Sequence, residues 1–185
     1  MMDIKTFESD MYEKGIYLFM SKVTDDLVVP VIEWIISENI KDLQHRKEYL
    51  TLIICSPGGA VQPCFALIDI MTGSCIPIRT VGIGEIASAG LLMFIAGDPG
   101  TRTLTPNTRI LSHQYSWGSS GKEHELLGRM REFDLLTKRM VRHYKKFTGL
   151  TEKEIREHLL PASDVWLDAT QALKLGICDK VKLAY

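Results

Sequence analysis

Apolar positions along the chain follow two alternating periods. Residues 16–20 (IYLFM) form a short apolar run, and residues 50–55 (LTLIIC) and 78–83 (IRTVGI) form two more. The first is strand-like, the second predicts a strand of the type buried on both faces, and the third predicts the next buried strand. Between them the spacing changes to three and four. Leu27, Val31, Trp34 and Ile35 predict a helix opened by Asp25 and Asp26 and running to about residue 41. A second helix is predicted over 60–71, ended by Gly73, and a third over 87–96, with residues 41–48 as a polar connector. Short strands are expected around 102–104 and 109–112, and a last one over 177–183.

The longest pattern lies further along. Leu126, Met130, Phe133, Leu136, Met140, Tyr144 and Phe147 recur at steps of three or four and end at Gly149. At 1.5 Å per residue this single face predicts a helix about 40 Å long. Such a length exceeds the needs of a compact domain of this size. The helix is therefore expected to project and to bury its stripe against another subunit. Ser120-Gly-Lys-Glu123 reads as its capping box, and Thr151-x-x-Glu154 and Asp168-x-x-Gln171 mark the starts of two shorter helices. Repeated strand–helix units with parallel-type strands predict an α/β fold. No linker, repeat or low-complexity stretch divides the chain, so residues 1–185 read as a single domain.

Composition narrows the function classes. At 185 residues and 45% hydrophobic, the chain is long and apolar enough to bury a substantial core. A net charge of −1 leaves no electrostatic footprint for nucleic acid. The apolar runs are far shorter than the roughly 20 residues that span a bilayer. The start, MMDIKTFESDMYEKG, lacks the apolar centre of a signal peptide, so a cytoplasmic location is expected. Cys55, Cys64, Cys75 and Cys178 form no CxxC pair and have no histidine at ligand spacing, so they read as buried thiols rather than a zinc site. The GxxxxGK[ST] pattern of a nucleotide phosphate loop is absent.

Two strand-to-helix junctions are rich in small residues: SPGG at 56–59 and GEIASAG at 84–90. In open α/β folds ligands gather at the carboxyl ends of parallel strands. There the first amides of the next helix lack intrahelical partners and favour an anion, either a phosphate or a transient oxyanion. Ser88 in the second junction is a helix cap, a packing residue in a tight turn, or a nucleophile. A nucleophilic serine needs a base, and the base needs an orienting partner. His113, at the end of RILSH, is the candidate base; its plainer reading is a packed, hydrogen-bonded histidine. His45 lies in a charged connector, His124 and His158 on polar helix positions, and His143 off the apolar stripe, so all four are poorer bases. Of two late carboxylates, Asp168 fits the N-cap of the ATQALKLG helix. Asp164 lies in a loop between Pro161 and Trp166 with no such structural job, and is the preferred orienting acid. The order serine, histidine, aspartate is no obstacle, because triad order varies between folds.

With these residues in view, the chain resembles the proteolytic subunit of the Clp protease, of the ClpP/crotonase fold, from about residue 16 to 181. The SPGG motif, Gly84 to Gly90 as the serine motif, the Pro106-Asn-Thr-Arg109 turn and the His113-Gln114 pair carry the resemblance. The long helix is similar to the family's handle helix, which joins two rings. The resemblance implies a serine endopeptidase with Ser88 as nucleophile, His113 as general base and Asp164 as orienting acid. It implies an oxyanion hole from the amides of Gly59 and Ala89. It also implies two stacked heptameric rings, unfolded polypeptides as substrates, an AAA+ unfoldase or related ClpP subunits as partners, and no metal or other cofactor. This sequence departs from the pattern at several places. Cys55 stands where the family often has Asn, Glu85-Ile86 and Ala89 replace Gln-Ala and Met, and Tyr115 replaces a proline. Ser163 replaces an arginine, and the segment around Asp164 (159–166, LLPASDVW) reads two residues longer. Two other functions share these features: a catalytically weak or inactive ring subunit that acts by co-assembly, and an acyl-CoA enzyme of the crotonase type.

Overall fold

The computed structural model describes residues 10–183. The reading of the chain's charged start rests in part on residues 1–9, which lie outside the described residues. A seven-stranded sheet organises the described residues. Strand β1 (Ile16–Met20) pairs in parallel with β2 (Leu50–Ser56), and β2 pairs in parallel with β3 (Ile78–Ala87). Strand β3 then forks. Its first half pairs with β4 (Thr103–Leu104), which pairs in turn with β7 (Lys180–Val181). Its last three residues pair with β5 (Arg109–Ser112). Between the pairs Ile54–Gly82 and Ser56–Ile86, β2 advances two residues while β3 advances four. The surplus forms a bulge around Gly84, whose φ of 61° lets the strand turn without ending. Strand β6 (Val165–Asp168) adds the one antiparallel pairing, to β5.

The bulge corrects one expectation. The third helix does not begin at 87; β3 runs on through Ala87, and the helix α3 (Ala89–Ile95) starts after Ser88. All seven residues of α3 are buried. Helices α1 (Asp25–Asn39) and α2 (Val61–Gly73) bury Val28, Val31 and Ile35 on one side and Cys64, Leu67 and Ile68 on the other. Pro63 is the third residue of α2, where its missing N–H would have had no intrahelical partner anyway. The helices cover one face of the sheet, so Leu50, Leu52, Ile54, Ile78 and Thr80 are fully buried. The first half of β3 is not buried on both faces as its apolar run predicts. It alternates, because Arg79 and Val81 point to a face that no helix of the described residues covers.

Helix α4 (Glu123–Thr148) has 26 residues, about 39 Å at 1.5 Å each. Its first ten residues are exposed, and burial begins only with Leu136 and continues through Met140 and Tyr144. The helix therefore projects, as its length predicts. It starts later than the Ser120 box implies: Lys122 is the N-cap residue, and its amide donates to Glu125 Oε2 at 2.9 Å. Gly149 closes it at φ 77°. The other two boxes form. Glu154 N donates to Thr151 Oγ1 at 3.3 Å at the start of α5 (Glu152–His158). Gln171 N donates to Asp168 Oδ1 at 2.7 Å at the start of α6 (Ala169–Lys174).

Two polar residues read as unremarkable in the sequence are core elements. His143 is buried against Phe65 and Phe147, and its Nε2 donates to Leu92 O at 2.8 Å. Burial pushes its pKa down to about 4, so the ring is neutral and holds α4 onto α3 by that one N–H. Arg102 bonds Asp179 through Nε (2.9 Å) and Nη2 (2.6 Å) and Phe147 O through Nη1 (2.7 Å). Burial opposes the charge on Asp179, but the Arg102 bonds and charge outweigh it and hold the carboxyl below its usual range. All four cysteines are free thiols: Cys64 and Cys178 are buried as expected, Cys55 is half-buried, and Cys75 is exposed. Among the described residues no helix is long and apolar enough to cross a membrane, and no group of three or more His, Cys, Asp or Glu gathers as a metal site.

Candidate active site

The site is built where β3 meets α3. Ser88 sits between them at φ 53° and ψ −122°, and it is the only non-glycine residue at positive φ among the described residues. A serine held there costs of order 1–3 kcal/mol. The turn has the form of a nucleophile elbow, which raises the hydroxyl out of the line from strand to helix. Ser88 caps α3 through its backbone, with its carbonyl accepting from Leu91 N at 3.0 Å. Its side chain makes no cap bond. Its amide is used by Leu111 O at 2.9 Å. The hydroxyl is left for His113, whose Nε2 lies 2.8 Å from Ser88 Oγ.

The SPGG turn fits against this elbow because two of its residues lack a side chain. A Cβ on Gly58 (φ 88°) would lie 2.6 Å from Ser88 Cβ and 2.7 Å from Ala87 O. A Cβ on Gly59 (φ 151°) would collide with the backbone of Val23. Val23 bonds the turn on either side of Gly59, accepting from Ala60 N at 2.8 Å and donating to Gly58 O at 2.9 Å. The Gly59 amide takes part in neither bond. The Ala89 amide is the first of α3 and has no intrahelical acceptor. Gly59, Ala89, Ser88 and His113 all line one cavity of about 90 Å³. Val61, Leu92, Met140 and Tyr144 form its apolar side, and Tyr115 stands at its edge.

His113 follows β5 and is held by both neighbours. Ser112 Oγ donates to Leu159 O at 2.6 Å and lies 3.1 Å from the Tyr144 hydroxyl. Gln114 Nε2 donates to Leu160 O at 3.0 Å. Burial pushes the Tyr144 phenol up to about 12, which keeps it a neutral hydrogen-bonding group. Beneath the elbow, Cys64 Sγ donates to Ala89 O at 3.0 Å, and burial pushes the thiol up to about 12. Cys64 is thus no thiolate nucleophile.

The carboxylates part as their local roles suggest. Asp168 is occupied at the α6 N-cap. Asp164 directly precedes β6, and His113 directly follows β5; the pairing of the two strands ends at Ser112 and Val165. The Asp164 carboxylate is exposed, lines no part of the cavity and makes no hydrogen bond or ion pair with the described residues. The structure therefore gathers Ser88, His113, Gly59 and Ala89 around one cavity and leaves Asp164 out of its lining. The supporting residues Ser112 and Tyr144 carried no signal beyond adjacency to His113 and membership of the α4 stripe. Tyr115 was visible only as a substitution; here its ring lies 6.3 Å from Phe133 of α4.

A sequence model of the Clp protease family matches residues 2–184, nearly the whole chain. The mixed α/β fold and its mostly parallel sheet agree with that match. Members of this family are serine peptidases that generally form oligomeric rings. This chain belongs to the Clp protease family.

Proposed function

We propose that this chain is a single-domain serine endopeptidase subunit that cleaves unfolded polypeptides within a ring assembly. The observation that carries the reading is the 2.8 Å approach of His113 Nε2 to the hydroxyl of a serine held at positive φ. In this reading Ser88 Oγ attacks the peptide carbonyl carbon while His113 takes the hydroxyl proton. The carbonyl oxygen becomes an oxyanion and accepts from the Gly59 and Ala89 amides, a contribution of a few kcal/mol to the transition state. His113 then gives its proton to the leaving amine, and water releases the acyl group by the same steps. Asp164, the neighbour of Val165, which pairs with Ser112, orients the imidazole from its Nδ1 side once the carboxylate turns inward. The apolar side of the cavity favours an uncharged side chain just before the cleaved bond. The steps draw on side chains and backbone amides alone. Two stacked heptameric rings, fed by an AAA+ unfoldase or mixed with related ClpP subunits, complete the proposal.

Labelling by a fluorophosphonate probe tests it. The probe is expected on Ser88, absent from Ser88→Ala, and at least about 100-fold slower in His113→Ala. An assembled ring that takes no label would sink the reading. The unbonded Asp164 carboxylate favours a second reading, a ring subunit of low or no activity. That reading predicts slow labelling in the wild type and no change in Asp164→Asn, whereas an orienting acid predicts a loss of about 100-fold or more.

A further inference from the structure

One wall of the Ser88 cavity is also a wall of its neighbour. That neighbour, of about 150 Å³, is lined by Tyr115, Phe133, Thr137, Met140 and Leu160, with the exposed Arg156 beside them. Tyr115 and Met140 belong to both linings. Helix α4 runs past the pair. Tyr144 and Met140 face the cavity of about 90 Å³ at Ser88, while Met140, Thr137 and Phe133 face the other. These four positions step by three or four, so they share one side of the helix over roughly 16 Å, and the cavities lie end to end along it. Met140 is buried and forms the common floor. Tyr115 is half-buried and forms the common wall.

The wall is held in place from two sides. Gln114, just before it, is tied to Leu160 O at 3.0 Å. The Tyr115 ring centre lies 6.3 Å from that of Phe133, which in turn lies 5.1 Å from that of Trp117. The Tyr115 hydroxyl bonds none of the described residues. The residue therefore acts through the bulk of its ring, not through a hydrogen bond. A short aliphatic side chain entering beside Ser88 meets Val61, Leu92 and Met140 and leaves no polar group unpaired. A side chain much longer than that must displace the Tyr115 ring, which aromatic contacts oppose from behind. Walls of this kind discriminate by size, with a single methylene worth roughly 10–200-fold.

We propose that Tyr115 sets the size limit for the substrate side chain just before the cleaved bond. Its ring ends the Ser88 cavity, and without the ring the pocket continues along α4 to Phe133 and Leu160. The proposal rests on the reading of Ser88 as nucleophile. Its test uses a pair of α-aminoalkyl diphenyl phosphonates, one with a leucine-type and one with a biphenylalanine-type side chain. As the Ser88 Oγ–phosphorus bond forms, one phenoxide leaves and takes up the hydroxyl proton as phenol. The ratio of the two labelling rates on one preparation cancels the fraction of protein that is folded or assembled. Wild type is expected to favour the leucine probe at least about tenfold. Tyr115→Ala is expected to move the ratio at least about tenfold toward the biphenyl probe, and Tyr115→Leu to move it less in the same direction. Tyr115→Phe keeps the ring and is expected to keep the wild-type ratio. Equal rates for the two probes on the wild type overturn the proposal. So does a ratio unchanged in both Tyr115→Ala and Tyr115→Leu, or a Tyr115→Phe ratio that matches Tyr115→Ala. No label on Ser88 from either phosphonate or from a fluorophosphonate overturns the nucleophile reading itself, and this proposal with it.

Discussion

Ser88 holds its unusual backbone angles because the residue facing it, Gly58, has no side chain. Adding one methyl at Gly58 meets both Ser88 Cβ and Ala87 O inside van der Waals distance, at a φ of 88° that disfavours alanine as well. Gly58→Ala is expected to destabilise the protein by about 3 kcal/mol and to abolish fluorophosphonate labelling. A variant with native melting temperature and native labelling would refute this. His143 carries a pH prediction. Its pKa is about 4 folded against 6.5 exposed, so the unfolded chain binds the additional proton. The contribution is complete above pH 6.5 and is lost as pH falls toward 4, by roughly 3 kcal/mol. Thermal unfolding followed across that window is expected to show the slope, and His143→Gln to flatten it. An identical slope in the variant would assign the acid sensitivity to other groups.

At the scale of elements, α4 divides into a packed half and a free half. Leu127, Met130 and Leu135 are 51%, 59% and 67% exposed on the free half, an apolar surface that the described residues leave uncovered. Leu127→Glu together with Met130→Glu is expected to weaken self-association while leaving the melting of the monomer within about 0.5 kcal/mol. Sedimentation velocity reads the first quantity, and unchanged assembly would show that the stripe does not join subunits. This helix, the order of strands and helices, and two of three capping boxes were legible in the sequence because periodicity and caps are local. The site was legible in part for the same reason: Ser88 and the glycines announce themselves in short motifs, and His113 ends a strand. What escaped was set by distant partners. Strand β6 is four residues of alternating burial that exist as a strand only because β5 lies beside them. The continuation of β3 past Gly84 depends on the same β5. His143 reads as lying off the apolar stripe, yet it is buried, because α3, a fully buried neighbour, supplies its acceptor. The state of the Asp164 carboxylate is a matter of rotamer and surroundings, which no spacing rule reaches.

Across the whole molecule, long-range ties bring the chain's later segments back to the sheet. Arg102 joins β4, the end of α4 and the segment before β7 through three acceptors, with its partner Asp179 retaining 19% side-chain exposure. Arg102→Ala is expected to cost about 2–3 kcal/mol, less than a fully buried pair because water still reaches Asp179. Adding Asp179→Asn is expected to restore part of that loss, and calorimetry of the single and double variants checks both. Additive losses would mean that the two side chains act separately. The four thiols, finally, give this molecule a clock. Cys75 is open to an alkylating reagent in the native state, while Cys64 is closed and touches the carbonyl of Ala89 directly under the elbow. The rate at which Cys64 reacts therefore measures how often that floor opens, with Cys75 as the internal reference for reagent strength. A substrate or inhibitor seated on Ser88 should slow the one and leave the other unchanged, so occupancy of the site becomes visible without any turnover at all.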